Sequence, residues 1–292
     1  MEKIRKEKRK LLRGSISENI LYGIVFIIFM TFALSYIYIF IWGVLAGLKT
    51  HDELVLQPFT IPTHPRWGNY IEVFNKLNVA GYTYWGMLFN SIYFSVLGQF
   101  IGCMCSCMLA YVTCKYKFPG AKLYFAIVTI MIILPIYGNG GSMYRLMYRL
   151  GMIDSYAHIL TAFGGMNIYY LYFHAAFENV SDSYAEAALI DGANDFTVFF
   201  KVVFPQVINI FGALFLLRWV ADWNNYSSVL IYLSKLPTLA GGIYLFELDV
   251  ERSARLDLVY AAYMISAVPP LVLFAVCNQT LTSNVSLGGL KE

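Results

Sequence analysis

The sequence predicts an all-α integral membrane protein with six transmembrane helices, and three observations carry that expectation. Of its 292 residues 59% are hydrophobic and only 13% charged, with a mean hydropathy of +0.59; soluble domains carry about 25% charged residues. Uncharged apolar stretches recur at lengths suited to the roughly 30 Å hydrocarbon layer, at about 1.5 Å of rise per residue. Seven of the 21 basic residues, Lys3, Arg5, Lys6, Lys8, Arg9, Lys10 and Arg13, lie in the first 13 positions. Such a tail suits the anionic lipid of a cytoplasmic face, and a plain topology signal accounts for it; no nucleic-acid partner is expected.

Residues 20–48 contain no charge and form the first expected span. This run is far longer than a signal-peptide core of about 7–15 residues, so it should remain in the mature chain. Residues 49–85, with His51, His64, Pro58, Pro62 and Pro65, read as a polar excursion with little regular structure. A second span is expected over 86–113, then a basic turn with Lys115, Lys117 and Lys122 around Pro119-Gly120, then a third over 123–144, bent at Leu134-Pro135. After a loop marked by Arg145, Arg149 and Asp154, residues 155–177 supply the fourth. The fifth runs over 205–233. A loop with Lys235, Glu247, Asp249, Glu251, Arg252, Arg255 and Asp257 follows, and 258–281 is the sixth, which Pro269-Pro270 should kink or break. Six crossings put both termini on one side, and the tail makes that side the cytoplasm. The chain divides into a basic tail (1–18), a leading helix with its excursion (19–85) and a five-helix body (86–292).

Catalytic chemistry has no obvious carrier. There is no G-x-x-x-x-G-K-[ST] phosphate loop, no H-E-x-x-H pair and no G-x-S-x-G elbow. His51, His64, His158 and His174 are scattered, and Cys103, Cys105, Cys107, Cys114 and Cys277 form no C-x-x-C pair, so they read as small apolar side chains and no metal site is expected. The chain is therefore expected to be no enzyme and to bind no cofactor, with energy arriving from outside.

The polar segment 181–205, SDSYAEAALIDGANDFTVFFKVVFP, interrupts the apolar pattern. Ser183 and Glu186 have capping-box spacing. Gly192 can end the helix they begin, Asn194 can cap a second one, and Pro205 punctuates entry into the next span. Alternation of the spans places this helix-turn-helix in the cytoplasm.

Within it, EAALIDGANDFTVFFKVVFP resembles the cytoplasmic EAA loop of permease subunits of bacterial binding-protein-dependent ABC importers. The matching positions are Glu186, Ala187, Ala188, Gly192 and Pro205. Asp191-Gly192-Ala193 resembles the carbohydrate branch, of the maltose-type second permease. Other stretches are similar to the same family: Asn90-Ser91 through Ala110-Tyr111 to Gly120, Gly140-Gly141 with Leu150-Gly151, and the ending Gly288-Gly289-Leu290-Lys291. The aromatic residues usual after Gln279 are replaced by Thr280 and Leu281.

The resemblance implies a type I importer permease in the bacterial cell membrane. It would pair with a homologous permease, receive an oligosaccharide or related carbohydrate from an extracellular solute-binding lipoprotein, and dock on two ATPase subunits that hold ATP and Mg. Glu186, Ala187, Ala188, Asp191, Gly192 and Ala193 would form the coupling element. In it Glu186 offers a charge, the alanines allow close approach and Gly192 permits the turn. A peptide or polyamine cargo, or a non-transporting receptor or anchor, are the alternatives.

Substrate contacts are read from the fifth span. Trp219, Trp223, Tyr226 and Leu230 share a helical face beside Asn224 and Asn225, and rings with amides suit a neutral sugar, while an outer interfacial aromatic belt fits the same pattern. Asn139 is a further polar candidate. Arg218 and Asp222, spaced i, i+4, are expected to form an intramembrane ion pair, structural or gating, because a lone charge there costs on the order of 3 kcal/mol. Asn90, Tyr137 and Asn167 are expected in helix-packing hydrogen bonds.

Overall fold

A computed structural model describes residues 16–116, 118–134, 138–253 and 255–282. The basic tail, Pro135, Tyr137 and the Gly288–Lys291 ending lie outside the described residues.

The chain is helical almost throughout. Helix α1 (Ile16–Gly47) is followed by α2 (His51–Leu56), α3 (Gly68–Lys76) and a two-stranded antiparallel hairpin, β1 (Asn78–Val79) and β2 (Tyr82–Thr83). The excursion is thus ordered, contrary to the proline-based expectation. Its anchor is Lys49, fully buried, whose Nζ donates to the carbonyls of Gln57 at 2.6 Å and Pro58 at 3.1 Å. A cation set among carbonyl oxygens ties the start of the excursion to its proline-rich turn.

Helix α4 (Tyr84–Lys115) includes a π-helical stretch at Ile92–Leu97. Then come α5 (Ala121–Ile133), α6 (Gly140–Arg149), a 3₁₀ helix (Tyr156–Phe163), α7 (Ile168–Glu178) and α8 (Ser183–Ile190). Helix α9 (Asp195–Trp223) contains a second π-helical stretch, Val198–Val203, and is followed by α10 (Tyr226–Tyr232), α11 (Leu239–Ser253) and α12 (Leu256–Thr282).

Among the described residues four helices are long and apolar enough to cross a membrane: Asn19–Gly47, Tyr84–Lys115, Asp195–Trp223 and Leu256–Val276. Where the third and fourth spans were expected, the described residues form shorter helices. The fifth begins ten residues before Pro205, its helix running through a π-helical stretch, Val198–Val203, immediately ahead of the proline. It also ends at Trp223, ten residues early. The loop expected at 235–257 is mostly helix α11, and α12 runs unbroken through Pro269-Pro270.

Two cores lie toward opposite ends of α4 and α9. In one, Cys103, Cys107 and Tyr111 of α4 pack on Tyr170, Phe173 and Phe177 of α7 and on Val198, Phe199 and Val203 of α9. In the other, Met87, Trp219, Trp223, Leu239, Ile243 and Leu258 meet Val73 and Leu77 from the excursion. Each large side chain so buried contributes about 2 kcal/mol. Helix α1 joins only through its last turns, where Tyr70 Oη donates to the Val44 carbonyl at 3.0 Å and Trp42 Nε1 to that of Pro58 at 2.7 Å. The apolar side chains from Ile20 to Ile41 are exposed, as a lipid-facing helix requires.

Candidate functional site

Two regions at opposite ends of α4 and α9 hold the residues singled out in the sequence. The first is the 178–197 loop. Helix α8 spans Ser183–Ile190, but its cap differs from the capping box expected. Asp182 is the N-cap residue and its carbonyl accepts the Glu186 amide at 3.0 Å, whereas the Ser183 hydroxyl meets Ser181 Oγ at 2.8 Å. The C-terminal signal behaves as expected. Gly192 adopts φ +85°, its amide donates to the Leu189 carbonyl, and the Ala193 amide reaches back to that of Ala188, each at 3.0 Å. This is a Schellman closure, which needs a left-handed residue at that position. Asn194 Oδ1 then accepts the Thr197 amide at 2.8 Å and starts α9.

The loop is held by the end of α4. Lys115 Nζ donates to the Val180 carbonyl at 2.5 Å and to Asp182 at 2.7 Å, and Tyr116 Oη donates to Asp195 at 2.7 Å. Burial, then the adjoining Asp195 carboxylate, pushes the Tyr116 phenol well above its usual range, so it remains a donor throughout the physiological range. Ala185, Ala188 and Ala193 pack inward on the core of α9. Ala188 therefore allows close approach to this chain's own helix, where the sequence suggested approach to a partner. Glu186, Ala187 and Asp191 are exposed. So are Tyr184, Leu189 and, at 86% exposure, Ile190, an apolar surface on the most polar loop of the body.

The second region is a cavity of about 250 Å³ lined by the π-helical part of α4, α6, the 3₁₀ helix, the end of α9 and α10. Its polar lining includes Ser91, Ser95, Gln99, Thr161, Asp222, Asn225 and Ser228. The face of Trp219, Trp223, Tyr226 and Leu230 does not exist as one surface, because the chain breaks at Asn224. Trp219 and Trp223 are buried, and Trp223 Nε1 donates to the Ser266 carbonyl at 3.3 Å. Trp223 lines both this cavity and a second pocket, which holds Asn224 and the stacked pair Tyr226 and Tyr244, with ring centroids 4.7 Å apart. Asn225 caps α10, accepting the Ser228 amide at 3.1 Å. Asn139 stands exposed ahead of α6 and lines neither space.

Arg218 and Asp222 do not form the direct ion pair expected. Arg218 Nε donates to Gln99 Oε1, its guanidinium lies 5.2 Å from the Tyr169 ring centroid, and the Gln99 side chain hydrogen-bonds Asp222 in turn. Helical spacing brings the two residues onto one face, but the nearer partner on α4 intervenes. Gly102 makes room for this arrangement, since a Cβ there would lie 2.6 Å from Arg218 Nη2. Gln99 and Ser95 were missed in the sequence, and Ser91 enters there only as part of the family resemblance. The available signal was a string of small polar residues one and two turns apart inside an apolar helix.

The chain resembles known proteins over nearly its whole length. It is 24% identical over 266 residues to the arabinooligosaccharides transport system permease protein AraQ of Bacillus subtilis, covering 90% of this chain and 93% of the relative. It is 30% identical over 210 residues to the sn-glycerol-3-phosphate transport system permease protein UgpE of Shigella flexneri, covering 70% and 74%. The chain belongs to the permease subunits of ABC transport systems. It is thus a multi-pass membrane protein and no enzyme itself. No protein-family profile matches it. The fold is that of a chain in the crystal structure of a bacterial ABC transporter that imports the acidic polysaccharide alginate, at a TM-score of 0.76 and 22% identity over 92% of this permease and 99% of that chain. Asn90 of this permease makes the packing bonds expected of it, donating to the Pro237 carbonyl at 3.1 Å and accepting from Tyr156 Oη at 3.0 Å.

Proposed function

We propose that this permease passes a carbohydrate, an oligosaccharide or a related glycoside, inward across the bacterial cell membrane, driven by ATPase subunits that dock on α8. The supporting observation is the exposed Tyr184, Leu189 and Ile190 surface on a short helix fixed at both ends. A helix clamped by Lys115 and closed by Gly192 moves as a body with α9, as force transmission requires, and exposed apolar side chains on such an element fit a groove on a partner. Glu186 supplies a charge beside that surface. The chain crosses six times, with 123–144 and 155–177 counted as crossings made of shorter pieces, and both termini and the α8 loop in the cytoplasm. ATP and Mg belong to two ATPase subunits, a homologous permease completes the pathway, and an extracellular solute-binding protein delivers the cargo. Two of the relatives carry carbohydrate cargoes in their names, arabinooligosaccharides for AraQ and diacetylchitobiose for a Streptomyces coelicolor permease 21% identical over 252 residues, while that of UgpE is sn-glycerol-3-phosphate.

The test is ATP-driven uptake by the assembled importer carrying Glu186→Lys. Loss of uptake with the permease still in the membrane is expected. Wild-type uptake, or purification of the chain with no ATPase attached, sinks the coupling role, and a co-purifying binding protein that takes amino acids and no glycan sinks the carbohydrate reading.

A further inference from the structure

We propose that the cavity between the π-helical part of α4 and the end of α9 is a subsite for one neutral sugar ring, with Asp222 and Gln99 as its primary hydroxyl contacts. The proposal rests on the carbohydrate reading above and adds a place and a charge class to it.

The volume, about 250 Å³, holds roughly eight waters at about 30 Å³ each, or one pyranose ring in their place. In a chain this apolar, a cavity lined by a carboxylate, an amide and several hydroxyls is not packing residue. Polar groups inside a membrane protein are costly and mark the pathway of a polar solute. Asp222 accepts, Gln99 both donates and accepts, and Ser228 and Thr161 do either, which matches the mixed donor-acceptor character of sugar hydroxyls. Phe94 and Trp223 in the same lining supply the apolar surface on which a ring's C–H face rests.

The charge class follows from what the described lining carries. It holds one carboxylate, the imidazole of His158 and no lysine or arginine. The cation Arg218 lies behind Gln99 and against Tyr169. A uronate or phosphate entering the cavity would face Asp222 first, and two like charges at contact distance disfavour each other strongly even at an effective dielectric near 20. A neutral ring meets no such penalty.

The location supports a role in transport. Helices α4 and α9 each run from the α8 loop to this cavity, and α9, 29 residues long, spans about 43 Å at 1.5 Å per residue. The cavity therefore sits at the end of the permease farthest from α8, on a π-helical stretch, a feature common at functional sites in helices.

The experiment uses the complete importer, purified with its own partner subunits in nanodiscs, with Ser228→Cys and separately Thr161→Cys in this chain. Labelling by a membrane-impermeant maleimide, above that of the otherwise unchanged complex, is followed with maltotriose, arabinotriose or trigalacturonate present. At least one neutral trisaccharide should slow labelling of both cysteines about tenfold, trigalacturonate should leave it unchanged, and Asp222→Asn should abolish the protection. Protection by trigalacturonate, or by none of the three, overturns the subsite. Agreement between the two cysteines separates this from a local folding defect. If carbohydrate-loaded binding protein stimulates ATP hydrolysis while both cysteines stay unprotected, the subsite falls and the carbohydrate function stands. If no carbohydrate stimulates hydrolysis, both fall together.

Discussion

The two ends of α4 and α9 are built on opposite plans. At the α8 end the turn itself is closed by local bonds, those of Gly192, Ala193 and Asn194 reaching no more than five residues, Lys115 and Tyr116 tie the loop to the end of α4, and apolar side chains stand exposed beside Glu186 and Asp191. At the cavity end the polar groups are sheltered and their bonds cross the sequence: Asn90 to Pro237, Ser91 Oγ to the Leu239 amide at 2.7 Å, Arg218 to Gln99. A surface meant for another protein can be apolar because the partner covers it, whereas a surface meant for a hydrated solute must be polar and can be afforded only where several helices converge to shelter it. Both ends place a π-helical turn in the long helix, at Ile92–Leu97 by the cavity and at Val198–Val203 by α8.

If the contrast is right, removing a bond at the cavity end should cost more fold than removing one at the α8 end. Asn90→Ala strips partners from the Pro237 carbonyl and Tyr156 hydroxyl around a fully buried side chain, and should lower stability by about 2–4 kcal/mol, read as a drop in the thermal midpoint of the detergent-solubilised complex. An unchanged midpoint would erase the distinction. Lys115→Met comes next. The exposed partner Asp182 makes its ion pair weak, under about 1 kcal/mol, and the bond to the Val180 carbonyl adds about as much again. Faster proteolysis within 178–197 with the rest of the chain intact would register that loss.

Ile190→Asp should leave the thermal midpoint unchanged and cut ATPase retention during purification about tenfold, a difference of about 1.4 kcal/mol in docking. A lowered midpoint with normal retention would make Ile190 part of the fold instead. The smallest effect is expected from Gly192→Ala. No atom lies within 4 Å of the added Cβ, so the cost is the left-handed backbone alone, about 1 kcal/mol, visible as a modest drop in uptake that Gly192→Asn partly restores.

Much of this was legible in residue order because it depends on neighbours in the chain. The apolar runs gave the long helices, and Gly192 and Asn194 gave the turn and second cap, since both act within five residues. The same local grammar left some roles open. Asn224 and Asn225 read in the sequence as sugar-binding amides; Asn224 ends α9 and Asn225 caps α10, the ordinary work of asparagine beside a helix terminus, and Asn225 also lines the cavity. Pro205 reads as punctuation at the entry to the fifth span; it stands in the first turn of the α-helical part of α9, directly after the π-helical stretch.

What the sequence alone determined, then, is a helical membrane chain and a capped polar loop of the EAA pattern, because length, apolarity and short-range hydrogen bonds are properties of consecutive residues. Only the tertiary structure decided that Ala188 faces inward while Ile190 faces out, that Gln99 stands between Arg218 and Asp222, and that Ser91, Asp222 and Thr238 border one cavity. Those depend on which helix faces which. In a chain apolar nearly all round, periodicity does not mark the faces, and contacts between distant segments settle them.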